Sequence, residues 1–441
     1  MSTVALGLFT DVFLYGVVVP LLPFLLHDRI NIPQGQIQVY VSALLAAYAG
    51  ASVTFSLPVG WITDKVGSRQ LPFLAGSLLL LGATAMLAVA DNLGILVTAR
   101  LLQGVSASIV WTAGLAMVQS AVGPKQTGQA IGTVSSVISV GEVIAPVVGG
   151  PLYHRGGIVA VTALSTSILA IDLVMRLLVI DIKETTSDDE PRTATSSREN
   201  NDTPVADIPG EAQYKINNPR AVERAVPILY CFRDGRFLTA MILVAVQSLL
   251  IGAFDATVPV ETQSLFHFSS LEVGLVFIAL VVPNLALGPL AGMAVDRYGT
   301  KLVATGGYII LVPYLLLLSL PSREILTGSW NIVLFCSILA LNGAGMSIIS
   351  SPGLVEATLV TEKYVTANPD FFPRNGPYAQ LYGFSSVFAF AGLTIGPLLG
   401  GLVRERFGYM AMTIMLAVIS GVTAIVSFLV IGEKMPTSYS E

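Results

Sequence analysis

The chain has 441 residues, of which 54% are hydrophobic and only 12% are charged, and its formal net charge is −5. Soluble domains usually carry about a quarter charged residues, so this composition excludes an ordinary soluble protein. The two cysteines, Cys231 and Cys336, are too few for a disulfide framework or a structural zinc site. We predict neither a metal nor a cofactor.

Apolar runs of about 20 residues recur along the chain, and this is the length that a helix needs to cross a bilayer. Because a bilayer leaves no water for exposed backbone groups, each run is predicted to be a helix. The twelve predicted spans are 4–26, 39–62, 71–90, 95–119, 126–153, 158–182, 237–260, 270–294, 301–320, 330–352, 377–402 and 409–431. The predicted fold class is an all-α membrane protein with twelve transmembrane helices.

The stretch between the sixth and seventh spans is polar, charged and poor in aromatic residues. Such a composition cannot bury enough apolar surface to fold alone, so we predict a flexible linker at 183–236. The chain then divides into an N-terminal six-helix bundle at 1–182, the linker, and a C-terminal six-helix bundle at 237–441. An even number of spans puts both termini on one side, and the excess of Lys and Arg on that side predicts that it is cytosolic.

A ten-residue motif occurs twice, as GWITDKVGSR after the second span and as GMAVDRYGTK after the eighth. Its glycines permit tight turns, and its charges can pair with neighbouring helix ends. We predict that these loops act as gates, the alternative being positive charge that only sets topology. The motif residues are Gly60, Asp64, Lys65, Gly67, Arg69, Gly292, Asp296, Arg297, Gly299 and Lys301.

A second repeat joins APVVGGPLYHRGG in the fifth span to GPLLGGLVRERFG in the eleventh. Two matches in equivalent places indicate duplicated, pseudo-symmetric six-helix bundles around a central cavity, an arrangement found in many secondary transporters. The small and kinking residues of this repeat suit close helix packing at the interface between the bundles. They are Gly141, Pro146, Gly149, Gly150, Gly396 and Pro397.

Two acids lie in equivalent spans of the two halves, Asp11 in the first and Asp255 in the seventh. A charge at membrane depth costs roughly 3 kcal/mol on insertion scales, so it is rarely without a role. We predict that both carboxylates face the central cavity and bind a proton or a cationic substrate. The alternatives are a hydrated acid near the cytosolic end of its helix for Asp11, and an acid near the opposite membrane face for Asp255.

Other polar residues occur at membrane depth. Arg100 cannot realistically lose its proton and needs an anion, carbonyl groups or water, so we predict that it senses the charge of a nearby carboxylate. Its alternative is a static pair between helices. Glu142 is predicted to be a second titratable site or a partner of Arg100, with a packed structural pair as the alternative. Asp172 and Arg176, four residues apart on one helix face, are predicted to form a structural pair.

A further set of residues is predicted to line the cavity, although an aromatic residue in a span is more often a packing element or an interface anchor. This set is Tyr15, Tyr48, Gln103, Trp111, Tyr382 and Ser386. No catalytic constellation, phosphate-binding loop or nucleic-acid-binding motif is found.

These motifs resemble those of the major facilitator superfamily. ARLLQG in the fourth span is similar to its R-x-x-Q-G motif, and GEVIAPVVGG is similar to the fifth-helix motif of its proton-coupled antiporters, with Ala145 in place of a glycine. DVFLYGVVVPLLP resembles the first helix of the vesicular amine transporters and of the related fungal drug/proton antiporters. Asp255, in FDATVPV, matches an acid of the amine transporters.

The resemblance to the amine transporters has three departures. Tyr48 stands where they carry a lysine, Ser386 stands where they carry an acid, and no acid lies near Ile348. The resemblance implies a proton-coupled efflux transporter for a drug, an amine or a secondary metabolite. We also predict a monomer in the plasma membrane or a vacuolar or vesicular membrane. The alternatives are a nutrient uniporter or symporter and a non-transporting membrane receptor.

Overall fold

The computed structural model describes residues 2–65, 70–122, 127–178, 214–323, 328–372 and 377–432. These residues form helices joined by short turns, and no strand occurs among them. The α-helices of five or more residues are α1 Ser2–Val18, α2 Ile37–Lys65, α3 Gln70–Ala88, α4 Leu93–Val122, α5 Thr127–Leu177, α6 Ala221–Ala225, α7 Gly235–Phe266, α8 Ser270–Tyr298, α9 Thr300–Leu317, α10 Ser329–Ile349, α11 Pro352–Ala367, α12 Tyr378–Phe407 and α13 Tyr409–Val430. The predicted all-α fold is confirmed.

Eleven apolar stretches of the described chain are long enough to cross a membrane. One of them, Val140–Leu177, holds two predicted spans, because Gly157 has a φ of 60° and turns the chain back within α5. Only glycine adopts this conformation without strain, so it separates a first arm of α5 (127–156) from a second arm (158–177). The described helices therefore account for the twelve predicted spans.

The tenth span is longer than predicted and is broken. The helix α10 ends at Ile349, a turn follows at Ser350 and Ser351, and α11 continues to Ala367 rather than ending at 352. Pro352 has no N–H to donate back into α10, which favours a break at this place.

Residues 214–233, which we call the docked segment, differ from the expected flexible linker. They form α6 and a 3-10 turn at Pro227–Arg233, and they pack on α11 and α12. The ring of Tyr364 on α11 packs edge-to-face on those of Tyr214 and Tyr230, with centroids 5.2 and 5.9 Å away. The rest of the predicted linker, 183–213, lies outside the described residues.

Hydrogen bonds fix the docked segment to the C-terminal bundle. The side-chain amide of Asn368 donates to the Tyr214 carbonyl oxygen at 2.8 Å and accepts from the Ile216 N–H at 2.9 Å. The Ile228 N–H donates to the side-chain oxygen of Gln380 at 3.2 Å. These bonds pair backbone groups of the docked segment with side chains of the C-terminal bundle and not with water. The docked segment is therefore part of the folded bundle.

Cys231 reports on this packing. Its thiol is fully buried, and burial raises its pKa to about 12. In a Cys336→Ser background we expect maleimide at pH 7.5 to leave Cys231 unmodified in the native protein and to modify it after denaturation, because the thiolate is the reactive form. Asn368→Ala should raise the native labelling rate at least tenfold. Rapid labelling of the native protein without that change would contradict the packing described here.

The two bundles meet along two helix pairs, α2 with α12 and the first arm of α5 with α8. We call the face where α1 begins and the docked segment lies the linker side, and the opposite face the far side. Gly150 and Gly274 let the first arm of α5 approach α8 closely on the far side, because a Cβ on Gly150 would collide with the Ser270 carbonyl oxygen. The Ser270 hydroxyl also donates to the Gly150 carbonyl oxygen at 3.3 Å.

The other small residues of the repeat are divided between two kinds of contact. Pro146 contacts the other bundle, since a Cβ on Gly274 would lie 2.7 Å from its carbonyl oxygen. The remaining residues pack within their own bundle and not across the interface as expected. Gly141 and Gly149 approach α1, and Gly396 and Pro397 approach α7. Small residues thus serve both bundle packing and bundle closure.

Gly150→Ala is expected to open the far side. Because the added methyl meets backbone atoms and not a flexible side chain, the bundles must separate there. In a chain without its own cysteines, a Ser42→Cys reporter at the interface should then react with an impermeant maleimide at least fivefold faster. The matched control is Gly306→Ala, where a Cβ meets no atom within 4 Å. Equal labelling rates in the two variants would contradict this role of Gly150.

Candidate binding cavity between the two bundles

A cavity of about 380 Å³ lies between the bundles, within the range of pockets that bind small organic ligands. Residues of both halves line it: Asp11, Val12, Tyr15, Gly16, Val19, Tyr48, Trp111, Glu142 and Pro146 from the first, and Val244, Gln247, Ser248, Ile251, Asp255, Phe277, Leu280, Val281, Asn284, Gly343, Met346, Ser350, Leu354, Ser385, Ser386, Ala389, Phe390 and Leu393 from the second. This described lining contains three acids and no Lys, Arg or His. Its wall is otherwise mainly apolar and aromatic.

Asp11 lies on the cavity wall and not at the end of its helix. It comes nine residues after Ser2, which is about 14 Å along the axis at 1.5 Å per residue. Its side chain is 2% exposed, and its Oδ2 accepts from the Trp111 indole N–H at 3.0 Å and from the Tyr48 hydroxyl at 3.2 Å. Its Oδ1 is buried and has no hydrogen-bond partner among the described residues. The geometry does not support a hydrated acid at the cytosolic end.

Asp255 faces the same cavity from α7, in the opposite bundle. Its Oδ2 accepts from the Tyr15 hydroxyl of α1 at 3.0 Å. The ring of Tyr15 in turn lies on that of Tyr48, with centroids 4.9 Å apart. A continuous path of contacts therefore runs from Asp255 through Tyr15 and Tyr48 to Asp11, across the boundary between the bundles.

Arg100 is fully buried in α4 but is not part of the cavity wall. Its Nη1 donates to the Gln103 side-chain oxygen at 3.2 Å, whereas its Nε and Nη2 have no partner in the described part of the chain. The predicted pairing of Arg100 with Glu142 is therefore wrong for this conformation. Gln103 also donates to Thr84 at 3.5 Å, so its predicted place on the cavity wall is wrong as well.

Of the other residues predicted to line the cavity, four lie on its wall and one does not. Tyr15, Tyr48, Trp111 and Ser386 lie on the wall, and the Trp111 ring meets that of Phe390 edge-to-face across the bundle boundary at 6.3 Å. Tyr382 does not line the cavity. It lies near the linker-side start of α12, and the prediction of a cavity position is wrong for it.

Asp172 and Arg176 form the predicted intrahelical pair, with Arg176 Nε 2.8 Å from Asp172 Oδ2. The pair also holds α1 in place. The guanidinium lies 3.4 Å from the ring centroid of Phe73 and donates to the Thr3 carbonyl oxygen at 3.0 Å. Gly7 allows this approach, since a Cβ there would collide with Arg176.

A polar cluster that the sequence analysis missed joins the bundles on the far side. Arg404 Nη2 lies 2.8 Å from Glu261 Oε2 within the C-terminal bundle, and its Nη1 donates to the Gln38 side-chain oxygen of α2 at 3.1 Å. Gln38 donates back to the Ala256 carbonyl oxygen at 3.0 Å. We call Gln38, Glu261 and Arg404 the far-side latch. The sequence signal for it is an acid just after the seventh predicted span and a base just after the eleventh.

The second copy of the repeated loop has a turn at Gly299, where φ is 83°, and exposed charges at Asp296 and Arg297. Its anchor is Glu356 of α11, which sequence reasoning missed. This buried carboxylate accepts from the Thr300 hydroxyl at 2.5 Å and pairs with Arg236 at 2.8 Å. Gly292 and Lys301 belong to the flanking helices.

Much of the first copy of the loop lies outside the described residues. Gly67 and Arg69 lie outside the described residues, and the structure describes Gly60, Asp64 and Lys65 only as members of α2. Gating by either loop stays a prediction.

Comparison with known proteins agrees with this architecture. The family model of the Major Facilitator Superfamily matches residues 4–368 and 266–440. The "MFS-type transporter ppzB" of Metarhizium majus (strain ARSEF 297) is 53% identical over 97% of this chain and 99% of its own. The "Chromaffin granule amine transporter" of Homo sapiens is 20% identical over 87% of this chain and 64% of its own.

A solved structure shares the fold. The human organic anion transporter MFSD10 (TETRAN) superposes with a TM-score of 0.60 over 97% of this chain and 98% of its own, at 16% sequence identity. At this identity the likeness bears on the fold alone.

Proposed function

Because the chain belongs to the Major Facilitator Superfamily and is a multi-pass membrane transporter of small organic molecules, we propose that it works as a proton-coupled exporter of organic cations. The observation that carries the proposal is the pair of carboxylates, Asp11 and Asp255, which face one cavity from opposite bundles. The proposal takes the transporter as a monomer with cytosolic termini, in the plasma membrane or in a vacuolar or vesicular membrane.

The geometry favours exchange of a cation for protons. A cavity with three acids and no base attracts positive charge, and protonation of an acid removes that attraction. Protons on these acids and an organic cation in the cavity therefore oppose each other's binding, which is the requirement for antiport. Release of protons to the cytosol restores the negative charge of the cavity and allows the substrate to bind. Proton binding on the acidic side removes that charge and expels the substrate.

The path through Tyr15 and Tyr48 gives the two bundles a means to respond together. The Tyr15 hydroxyl bridges to Asp255 of the other bundle and donates to a carboxylate more strongly than to a neutral carboxyl group. A change of charge on Asp255 therefore alters the strength of a bond between the bundles. We assign to Arg100 the sensing of this charge. Its Nε and Nη2, which have no partner among the described residues, can donate to an anion or a carbonyl oxygen when the bundles rearrange.

In this conformation the two bundles contact each other on the far side. The far-side latch and the close approach of Gly150 to Ser270 both lie there. In the proposed cycle these contacts form while the cavity is open to the cytosol. They break when the cavity opens to the opposite side and the substrate leaves. Alternating access of this kind is rocking of one bundle against the other around a fixed site.

Transport into sealed inside-out membrane vesicles from expressing cells tests this function. With an acidified lumen we expect uptake of aromatic cations such as N-methylquinolinium at least fivefold above vesicles that lack the protein. A protonophore should abolish the difference. Uptake that ignores the imposed pH gradient, or that runs only in the opposite direction, would contradict proton-coupled efflux and favour a uniporter or symporter.

A further inference from the structure

Glu142 is the acid of the cavity whose carboxylate is not engaged by the protein. It lines the cavity and is exposed to it. Across the described ranges its carboxylate has no hydrogen bond and no ion pair, and Arg100 bonds to Gln103 instead. Asp11 and Asp255, by contrast, accept from aromatic donors at 3.0 Å.

A second feature adds to the negative potential at this place. In a helix the Glu142 carbonyl oxygen would accept from the N–H of the residue four positions on, but that residue is Pro146, which has none. Pro146 also lines the cavity. Glu142 thus offers both a carboxylate and a backbone carbonyl oxygen that lacks its helical donor.

The surrounding wall indicates the kind of ligand. The aromatic rings of Trp111, Phe277 and Phe390 and several aliphatic side chains line the cavity, and aromatic faces attract cations as well as apolar groups. A ligand with a positive charge on a flat apolar body satisfies both the unengaged carboxylate and this wall. An anionic ligand would meet only repulsion from the three acids.

We propose that Glu142 is the specificity-determining residue that receives the positive charge of the substrate, whereas Asp11 and Asp255 carry the exchanged protons. This inference rests on the proposed function and deepens it. Charge selection and proton coupling then reside on different carboxylates. Substitutions can therefore separate them.

Equilibrium binding to the purified full-length protein tests the assignment. Two probe pairs of nearly equal shape differ in charge at pH 7.5, N-methylquinolinium with quinoline and N-methyl-4-phenylpyridinium with 4-phenylpyridine. In isothermal titration we expect the wild type to prefer each cation. Glu142→Gln should raise the Kd of the cations at least tenfold and that of the neutral partners less than twofold. Glu142→Asp should keep most of the preference.

The control is Glu405→Gln, which removes an exposed acid of α12 outside the cavity and should leave all four Kd values unchanged. Thermal unfolding of each variant separates loss of binding from loss of fold, and Glu142→Asp covers the case in which Glu142→Gln does not fold. Unchanged cation binding in Glu142→Gln would overturn the inference. So would a wild type without cation preference.

The outcome also distinguishes this inference from the proposed function. Cation binding that survives in Glu142→Gln but is lost in Asp11→Asn would move the charge contact to Asp11 and overturn the inference. Proton-driven uptake by vesicles would still stand in that case. Failure of proton-driven uptake with Glu142-dependent binding intact would instead overturn the proposed function.

Discussion

Asp11→Asn should reduce pH-driven transport at least 100-fold while the protein stays folded. Asparagine keeps the side-chain volume and an oxygen that accepts from Trp111 and Tyr48, so the hydrogen bonds at 3.0 and 3.2 Å can persist. It cannot take up or release a proton. Initial uptake rates into acidified inside-out vesicles, measured beside the thermal unfolding temperature, check this result.

The matched control for Asp11 is Asp91→Asn. Asp91 is an exposed acid on the far side that pairs with Arg29 at 3.0 Å, and surface pairs of this kind contribute about 1 kcal/mol or less. Its neutralisation should leave transport within twofold of the wild type. Comparable transport by Asp11→Asn and the wild type would remove Asp11 from the proton pathway.

Arg100→Gln should lower transport at least 30-fold without lowering the thermal unfolding temperature. The buried guanidinium has one partner among the described residues. Because an uncompensated buried charge is destabilising, its replacement with a neutral polar group should not lower the stability. Substitution of a residue that stabilises the fold would instead lower the thermal unfolding temperature. Vesicle transport and thermal unfolding, measured on one preparation, distinguish these cases.

Arg176→Gln provides that opposite case. Its removal leaves the buried Asp172 without its partner, which is expected to destabilise the protein by about 3 kcal/mol or more. If Arg100→Gln unfolds as readily as Arg176→Gln, then Arg100 is a static structural residue and not a charge sensor.

Much of the fold follows from the sequence because a bilayer permits few solutions. Run length and apolarity are enough to place most helices, and the duplicated motifs indicate two related bundles. That Asp11 and Asp255 face one cavity follows from their equivalent spans. The break at Ser350 and Ser351 was missed because a Ser-Ser-Pro turn between apolar residues does not interrupt a hydropathy pattern.

Contacts between side chains were harder to predict. The sequence indicated that Arg100 needs a partner at membrane depth, but not that Gln103 would supply it in place of an acid. The link from Tyr15 to Asp255 depends on the rotation of two helices that are 240 residues apart in the chain. The docked segment was missed because its charged neighbours mask Tyr214 and Tyr230 in an average over the linker.

In the proposed cycle, substrate movement and proton movement are one coupled process. Its most direct measurement uses purified protein in liposomes with an acidic lumen, a luminal pH-sensitive dye and the membrane voltage clamped at zero. Addition of N-methylquinolinium outside should raise the luminal pH in a saturable manner, and the rise should be absent in Asp11→Asn and in Asp255→Asn. Accumulation of the cation in the lumen with no change of luminal pH would show that the two movements are not coupled.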